Sequence, residues 1–184
     1  MKKIKKEKNI SPIHFRAMLS KIGSLTIIKL PNRASVLLPS RGMVMVKGTI
    51  NGFHFQSALE PDGKKGHWFK VDKTISKSTG IKVGDSITFA IEPIKEWPEP
   101  IVPEDLKEAL STSPRIHKLW VDITPNARWD WIRWINATKN PKTREIRIEK
   151  TFSKLRSGKR TACCFNRSMC TEADVSNNGI LLGQ

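Results

Sequence analysis

The dipeptide Asn51-Gly52 constrains the fold of this chain more than any other feature, because it separates two short apolar runs. These runs cover residues 43–50 and 53–59. A tight type I′ turn needs positive φ at both central residues, which Asn and Gly tolerate far better than other residues do. The sequence therefore predicts a β-hairpin with Asn51-Gly52 at its turn.

The rest of the first hundred residues shows the same spacing of short strands. Residues 13–19 alternate between apolar and polar side chains, with the period of two that a half-buried strand requires. Short apolar runs follow at 25–30 and 34–38, and Pro31-Asn32 predicts a turn between them. About six or seven short strands with frequent turns predict a small antiparallel barrel or sandwich, and no long helix is needed before residue 100.

The pattern changes after the proline-rich segment 96–100. Four short helices are predicted over residues 101–160, because a proline opens each of them and proline suits the first helical position. These prolines are Pro103, Pro114, Pro125 and Pro141. The predicted fold class is therefore α+β, with a β-barrel domain over residues 13–96 and a helical domain over 101–160.

Both ends of the chain are predicted to lie outside these domains. Residues 1–12 contain five lysines against one glutamate, so they predict a disordered basic arm. This arm is either a phosphate-seeking segment or a solubilising terminus. Polar residues follow it where a signal peptide would be apolar, so we expect a soluble, cytoplasmic protein with no transmembrane segment. Residues 161–184 predict a loosely ordered tail.

The net charge of +16 suggests a polyanionic partner such as nucleic acid. In the fourth helix Arg147, Lys150 and Lys154 form a basic stripe roughly 130° from the apolar side, which makes them candidate phosphate contacts. The alternative is an ordinary solvated face, since Glu145 and Glu149 offer local partners.

Several tryptophans are candidate binding residues. On a helical wheel Trp131 and Trp134 share one apolar stripe, whereas Trp129 lies about 160° from Trp131. Trp129 is therefore either a partly exposed contact residue or a residue that packs on the barrel. With Trp68 and Trp97 it forms our set of candidate ligand or partner contacts.

No motif predicts catalysis, a cofactor or a metal site. The phosphate-binding glycine loops, the serine elbow, the zincin helix and the kinase signatures are all missing, and Gly63-Lys64-Lys65-Gly66 predicts an ordinary loop. The cysteines are Cys163, Cys164 and Cys170, an odd number that excludes a fully paired disulfide framework. Inert, redox-sensitive and metal-binding roles all stay open for them.

Two parts of the chain resemble known families. Residues 46–53 and 82–85 resemble a small bacterial β-barrel domain of unknown function. The helical half resembles the YdeI/OmdA family, named for bacteriocin protection and association with the porin OmpD. The matching segments are 102–106, 134–139, Thr143-Arg144, Arg147-Ile148 and 158–166.

The resemblance implies a fold more than a mechanism. The barrel is similar to the double-split barrels of AbrB-like regulators, which dimerise to bind DNA, so a homodimer is a further expectation. The family supplies no established catalytic residue, and fold alone does not carry function.

Three functions follow in order of preference. The first is a non-enzymatic binding protein of the bacteriocin-protection type, with an apolar, aromatic-lined cleft between barrel and helices. The second is a nucleic-acid-binding protein. The third is an enzyme of unknown type, which lacks any acid, base or nucleophile at a required spacing.

Overall fold

A computed structural model describes residues 11–162, 173–177 and 179–183 of the chain. The predictions for residues 1–10 of the basic arm and for the three cysteines lie outside these residues.

Six strands close into an antiparallel barrel in the order β1-β2-β5-β4-β3-β6. The strands are β1 (Ile13–Ile22), β2 (Leu25–Lys29), β3 (Val44–Ile50), β4 (Phe53–Pro61), β5 (His67–Lys70) and β6 (Ser86–Pro93). Asn51 and Gly52 join β3 to β4 with φ angles of 48° and 86°. The predicted hairpin and the predicted barrel are both confirmed.

The barrel interior is filled by aromatic and aliphatic side chains. The rings of Phe15 and Phe89 stack with centroids 4.9 Å apart, and those of Phe55 and Phe69 stack at 5.5 Å. The alternating side chains of β1 place Phe15 and Leu19 inside, where both are buried. The period of two in the sequence therefore identified the inner face of β1.

Two short helices interrupt the barrel strands, α1 (Asn32–Ser35) and α2 (Lys73–Thr79). The Asp72 side chain accepts a hydrogen bond from the Ile75 backbone N–H at 2.8 Å, and Ile75 enters the barrel core. Both helices are short, in agreement with the expectation that no long helix is needed here, but the sequence did not predict either of them. Only Ile75 of α2 is apolar, so the segment shows no amphipathic period.

Four further helices form the second half: α3 (Glu104–Ser111), α4 (Pro114–Asp122), α5 (Pro125–Asn136) and α6 (Pro141–Arg156). Their number and starts match the prediction within a residue. Thr124 and Asn140 cap α5 and α6 by accepting hydrogen bonds from Ala127 and Thr143. Ser113 occupies the same position before α4 without a side-chain cap bond, and Pro103 precedes α3 rather than starting it.

The helices pack around one core, and the predicted stripe of α5 faces it. Trp131 and Ile135 are buried there, and the Trp134 ring meets Trp131 edge-on with centroids 5.9 Å apart. An ion pair connects this unit to the barrel, because Arg133 Nε donates to Glu60 Oε2 at 2.7 Å. No helix of the described residues is long and apolar enough to cross a membrane.

The described part of the tail forms a small hairpin, β7 (Ser176–Asn177) and β8 (Ile180–Leu181). Val175 and Leu181 are buried against Ile27 and Trp68 on the outside of the barrel. The chain is packed at these residues, whereas the sequence predicted a loose tail. The apolar positions are too few to show a period, and only the barrel surface makes their burial favourable.

Candidate functional site

The three predicted contact tryptophans do not meet in one cleft. Trp68 is only 1% exposed, and it packs in the cluster of Ile27, Val175 and Leu181. Its side chain is therefore covered by the chain itself, and its role as a ligand or partner contact stays a prediction. The tail hairpin that covers it could not be foreseen from the local sequence.

Trp97 and Trp129 do lie together, half-buried, with ring centroids 6.0 Å apart in an edge-on arrangement. The Trp129 Nε1–H donates to the Pro98 carbonyl oxygen at 2.8 Å. This pair attaches the proline-rich segment to α5. Trp129 thus packs on the segment that links the two halves, rather than on the barrel.

The predicted basic stripe on α6 is incomplete as a phosphate site. The Arg147 guanidinium donates to the Trp134 carbonyl oxygen at 2.5 Å and lies 5.4 Å from the centroid of the Trp134 ring. Arg147 therefore holds the end of α5. Lys150 and Lys154 are exposed, so two of the three cations face solvent.

The corner between α5 and α6 is a network of polar side chains. Arg144 donates to both carboxylate oxygens of Asp105, at 2.5 and 3.0 Å, and to Asn136 Oδ1 at 2.9 Å. The hydrogen bonds from Arg144 lower the pKa of Asp105. A pocket of about 230 Å³ lies beside this network, and Lys139 pairs with Asp174 at its wall. These polar groups satisfy one another, so the corner holds helices together.

Arg128 is a structural residue that our sequence reasoning missed. It is 8% exposed, and it donates to the carbonyl oxygens of Trp120, Val121 and Ile123 at 3.0, 3.0 and 2.5 Å. It also binds both carboxylate oxygens of Glu99. On a helical wheel Arg128 lies about 60° from the buried Trp131, and this position could have indicated that Arg128 is buried.

A larger pocket, of about 600 Å³, opens on the outer face of the barrel. We call it the barrel pocket. It is lined by Pro12, Lys47, Gly48, Thr49, His54, Phe55, Gln56, Ala90 and Glu92. The strand register explains this grouping, because neighbouring residues on three adjacent strands share the outer face. Thr49 is paired with His54 and Ala90, and Lys47 is paired with Gln56 and Glu92.

The barrel pocket offers both charges. Lys47 Nζ lies 3.7 Å from Glu92 Oε2, and both side chains are partly exposed, at 62% and 38%. Ala90 contributes only a methyl group, which leaves room between the longer side chains. A Cβ on Gly48 would lie 2.1 Å from the Ala90 carbonyl oxygen, so only glycine allows β3 and β6 to approach this closely.

Sequence reasoning did not find the barrel pocket. We did not single out His54, and we used residues 46–53 only for the predicted hairpin and as part of a resemblance. The signal was the alternation of β3 and β4 around Asn51-Gly52, which fixes the register and places Lys47 opposite Gln56. The described residues contain no group of three or more His, Cys, Asp or Glu that could hold a metal ion.

Comparison with protein families assigns both halves. Residues 99–158 match the family described as "Bacteriocin-protection, YdeI or OmpD-Associated", and residues 15–91 match a domain of unknown function, DUF1905. The barrel is therefore similar to DUF1905, and the helical half is similar to the YdeI/OmdA family. Both expected resemblances are confirmed, and the barrel pocket lies mostly within the DUF1905 part. No curated protein matches the chain.

Proposed function

We propose that this protein is a non-enzymatic binding protein whose ligand occupies the barrel pocket. The observation that carries the proposal is an open concavity of about 600 Å³ with charged and polar side chains on its walls. Ligand sites typically enclose about 300–1,000 Å³ and combine apolar surface with a few polar groups. The apolar surface here comes from Pro12 and Ala90.

The pair of Lys47 and Glu92 suggests the class of ligand. A small zwitterion, such as a free amino acid or a dipeptide, carries a carboxylate for the lysine and an ammonium for the glutamate. Exchanging the existing pair for these contacts costs little, because exposed ion pairs contribute only about 0–1 kcal/mol. Gln56 and His54 add hydrogen-bonding groups on the adjacent strand.

The side chains of the barrel pocket favour binding over catalysis. A covalent mechanism needs a nucleophile hydrogen-bonded to a base. Thr49 and His54 are paired in the strand register, yet the hydrogen bonds of the described residues include none between their side chains. A cytoplasmic location is part of the same proposal, and bacteriocin protection would then result from capture of a ligand.

Nucleic-acid binding is the weaker alternative. It depended on the net charge of +16 and on the stripe of Arg147, Lys150 and Lys154, and Arg147 is committed to Trp134. The homodimer expected from the barrel resemblance stays a prediction.

Two-dimensional amide NMR tests the proposal. The ¹⁵N-labelled full chain is titrated with a panel of amino acids and dipeptides. We expect shifts to centre on the amides of residues 47–49, 54–56 and 90–92, with the added compound recovered unchanged. Shifts elsewhere only, or none with any panel member, would contradict the assigned site, and chemical conversion of the compound would contradict the absence of catalysis.

A further inference from the structure

A second surface lies at one end of the barrel, away from the barrel pocket, and it combines cations with exposed aliphatic side chains. We call it the basic tip. It consists of Arg33, Val36, Leu37, Arg41, Lys64 and Lys65, all of which are exposed. Two loops form this surface, residues 33–42 and residues 62–66. The chain has no acidic residue between positions 8 and 59, so the first loop brings no negative charge to the surface.

Hydrogen bonds fasten the two loops of the basic tip to each other. The His67 backbone N–H donates to Ser35 Oγ at 3.1 Å, and the His67 ring nitrogen Nε2 lies 3.1 Å from the Gly42 carbonyl oxygen. Arg41 donates to the Lys65 carbonyl oxygen at 2.8 Å. The cations of both loops are therefore held together by hydrogen bonds of the fold.

The acid nearest to Lys64 and Lys65 is turned inward. Asp62 is 1% exposed, and its Oδ1 accepts hydrogen bonds from the backbone N–H groups of Lys64 and Gly66, both at 2.8 Å. Its other oxygen lies 3.8 Å from Lys29 Nζ. Asp62 thus binds the backbone of the loop, while the side chains of Lys64 and Lys65 extend into solvent.

The aliphatic residues of the basic tip distinguish between anionic partners. Val36 and Leu37 are 57% and 64% exposed although they are consecutive and apolar. A phosphate backbone gains nothing from such side chains, since its contacts come from cations and hydrogen-bond donors. A membrane interface takes up aliphatic groups while its anionic headgroups attract the surrounding cations.

We propose that the basic tip docks on an anionic lipid surface, with Val36 and Leu37 entering the headgroup region and the four cations facing the lipid phosphates. This docking is peripheral and independent of the ligand of the barrel pocket, because the two surfaces share no residue.

Vesicle co-sedimentation of the full chain tests this inference. Phosphatidylcholine vesicles with about one third phosphatidylglycerol should retain the protein, and vesicles of phosphatidylcholine alone should not. The double variant Lys64→Gln/Lys65→Gln should lower the partition coefficient about thirtyfold. The matched control Lys73→Gln/Lys77→Gln removes two exposed cations of α2, and we expect a change of less than about threefold.

A variant of unchanged charge separates lipid from nucleic acid. Leu37→Gln should weaken vesicle binding by about three- to tenfold and leave retention on duplex DNA unaltered. Equal vesicle binding by Leu37→Gln and the unmodified chain would overturn the inference. So would equal losses from the Lys64/Lys65 and Lys73/Lys77 pairs, which would indicate attraction by net charge alone. DNA retention that depends on Lys64 and Lys65, with no vesicle binding, would assign the basic tip to nucleic acid instead.

Discussion

Replacing Arg128 by methionine tests how the helical unit is held together. Methionine keeps most of the apolar length of the side chain but removes every donor. Two of the three carbonyl oxygens that Arg128 binds, those of Trp120 and Ile123, are buried. A buried acceptor that loses its donor costs about 1–3 kcal/mol. The lost pair with Glu99 adds little, because Glu99 is 66% exposed. We therefore expect the free energy of unfolding to fall by about 3–4 kcal/mol.

Urea unfolding followed by circular dichroism at a helical wavelength measures this loss. Arg160→Met is the matched control, because Arg160 also binds the end of α4, through Asp122, but both side chains are about 60% exposed. The control should lose less than about 1 kcal/mol. If the losses in free energy of unfolding of the two variants agree within about 1 kcal/mol, the structural role assigned to Arg128 is wrong.

Three further perturbations have defined outcomes. Burial lowers the pKa of His67, so the folded state binds fewer protons than the unfolded one; stability should fall as the pH drops below about 6.5, and His67→Gln should flatten this slope in urea titrations. Arg144 lowers the pKa of Asp105, so the ion pair between them should contribute to the free energy of unfolding above about pH 4. This contribution should disappear as the pH falls through the lowered pKa, and an acid titration in which Asp105→Asn behaves like the unmodified chain would contradict this expectation. Gly48→Ala should destabilise the barrel by about 1–3 kcal/mol because of the clash with the Ala90 carbonyl, and an unchanged melting temperature would refute the close strand approach.

Local sequence signals predicted most of the fold. Asn51-Gly52 fixed a turn because few residues tolerate its backbone angles, and Pro114, Pro125 and Pro141 marked helix starts because proline lacks the N–H that a helix interior needs. These signals act within a few residues of the chain. Helix α2 was not predicted because its position depends on the packing of Ile75 in the barrel core.

The candidate surfaces and contact residues depend on contacts between distant residues, so the sequence predicted them poorly. Residues more than a hundred positions later in the chain cover Trp68, so no local pattern could indicate its burial. Arg147 was a candidate phosphate contact, since the sequence of α6 does not show that its guanidinium binds the Trp134 carbonyl oxygen on another helix. Likewise Lys47 and Glu92 meet only through the pairing of β3 with β6.

The affinity of an Ala90→Leu variant tests the central claim most directly. Leucine at position 90 adds bulk to a residue that lines the barrel pocket, and Thr88→Leu places the same side chain two residues away on β6, outside that lining. For the zwitterion that shifts the pocket amides, calorimetry should give a dissociation constant raised at least about tenfold by Ala90→Leu and changed less than about twofold by Thr88→Leu. Equal affinities in the two variants would show that the ligand binds elsewhere.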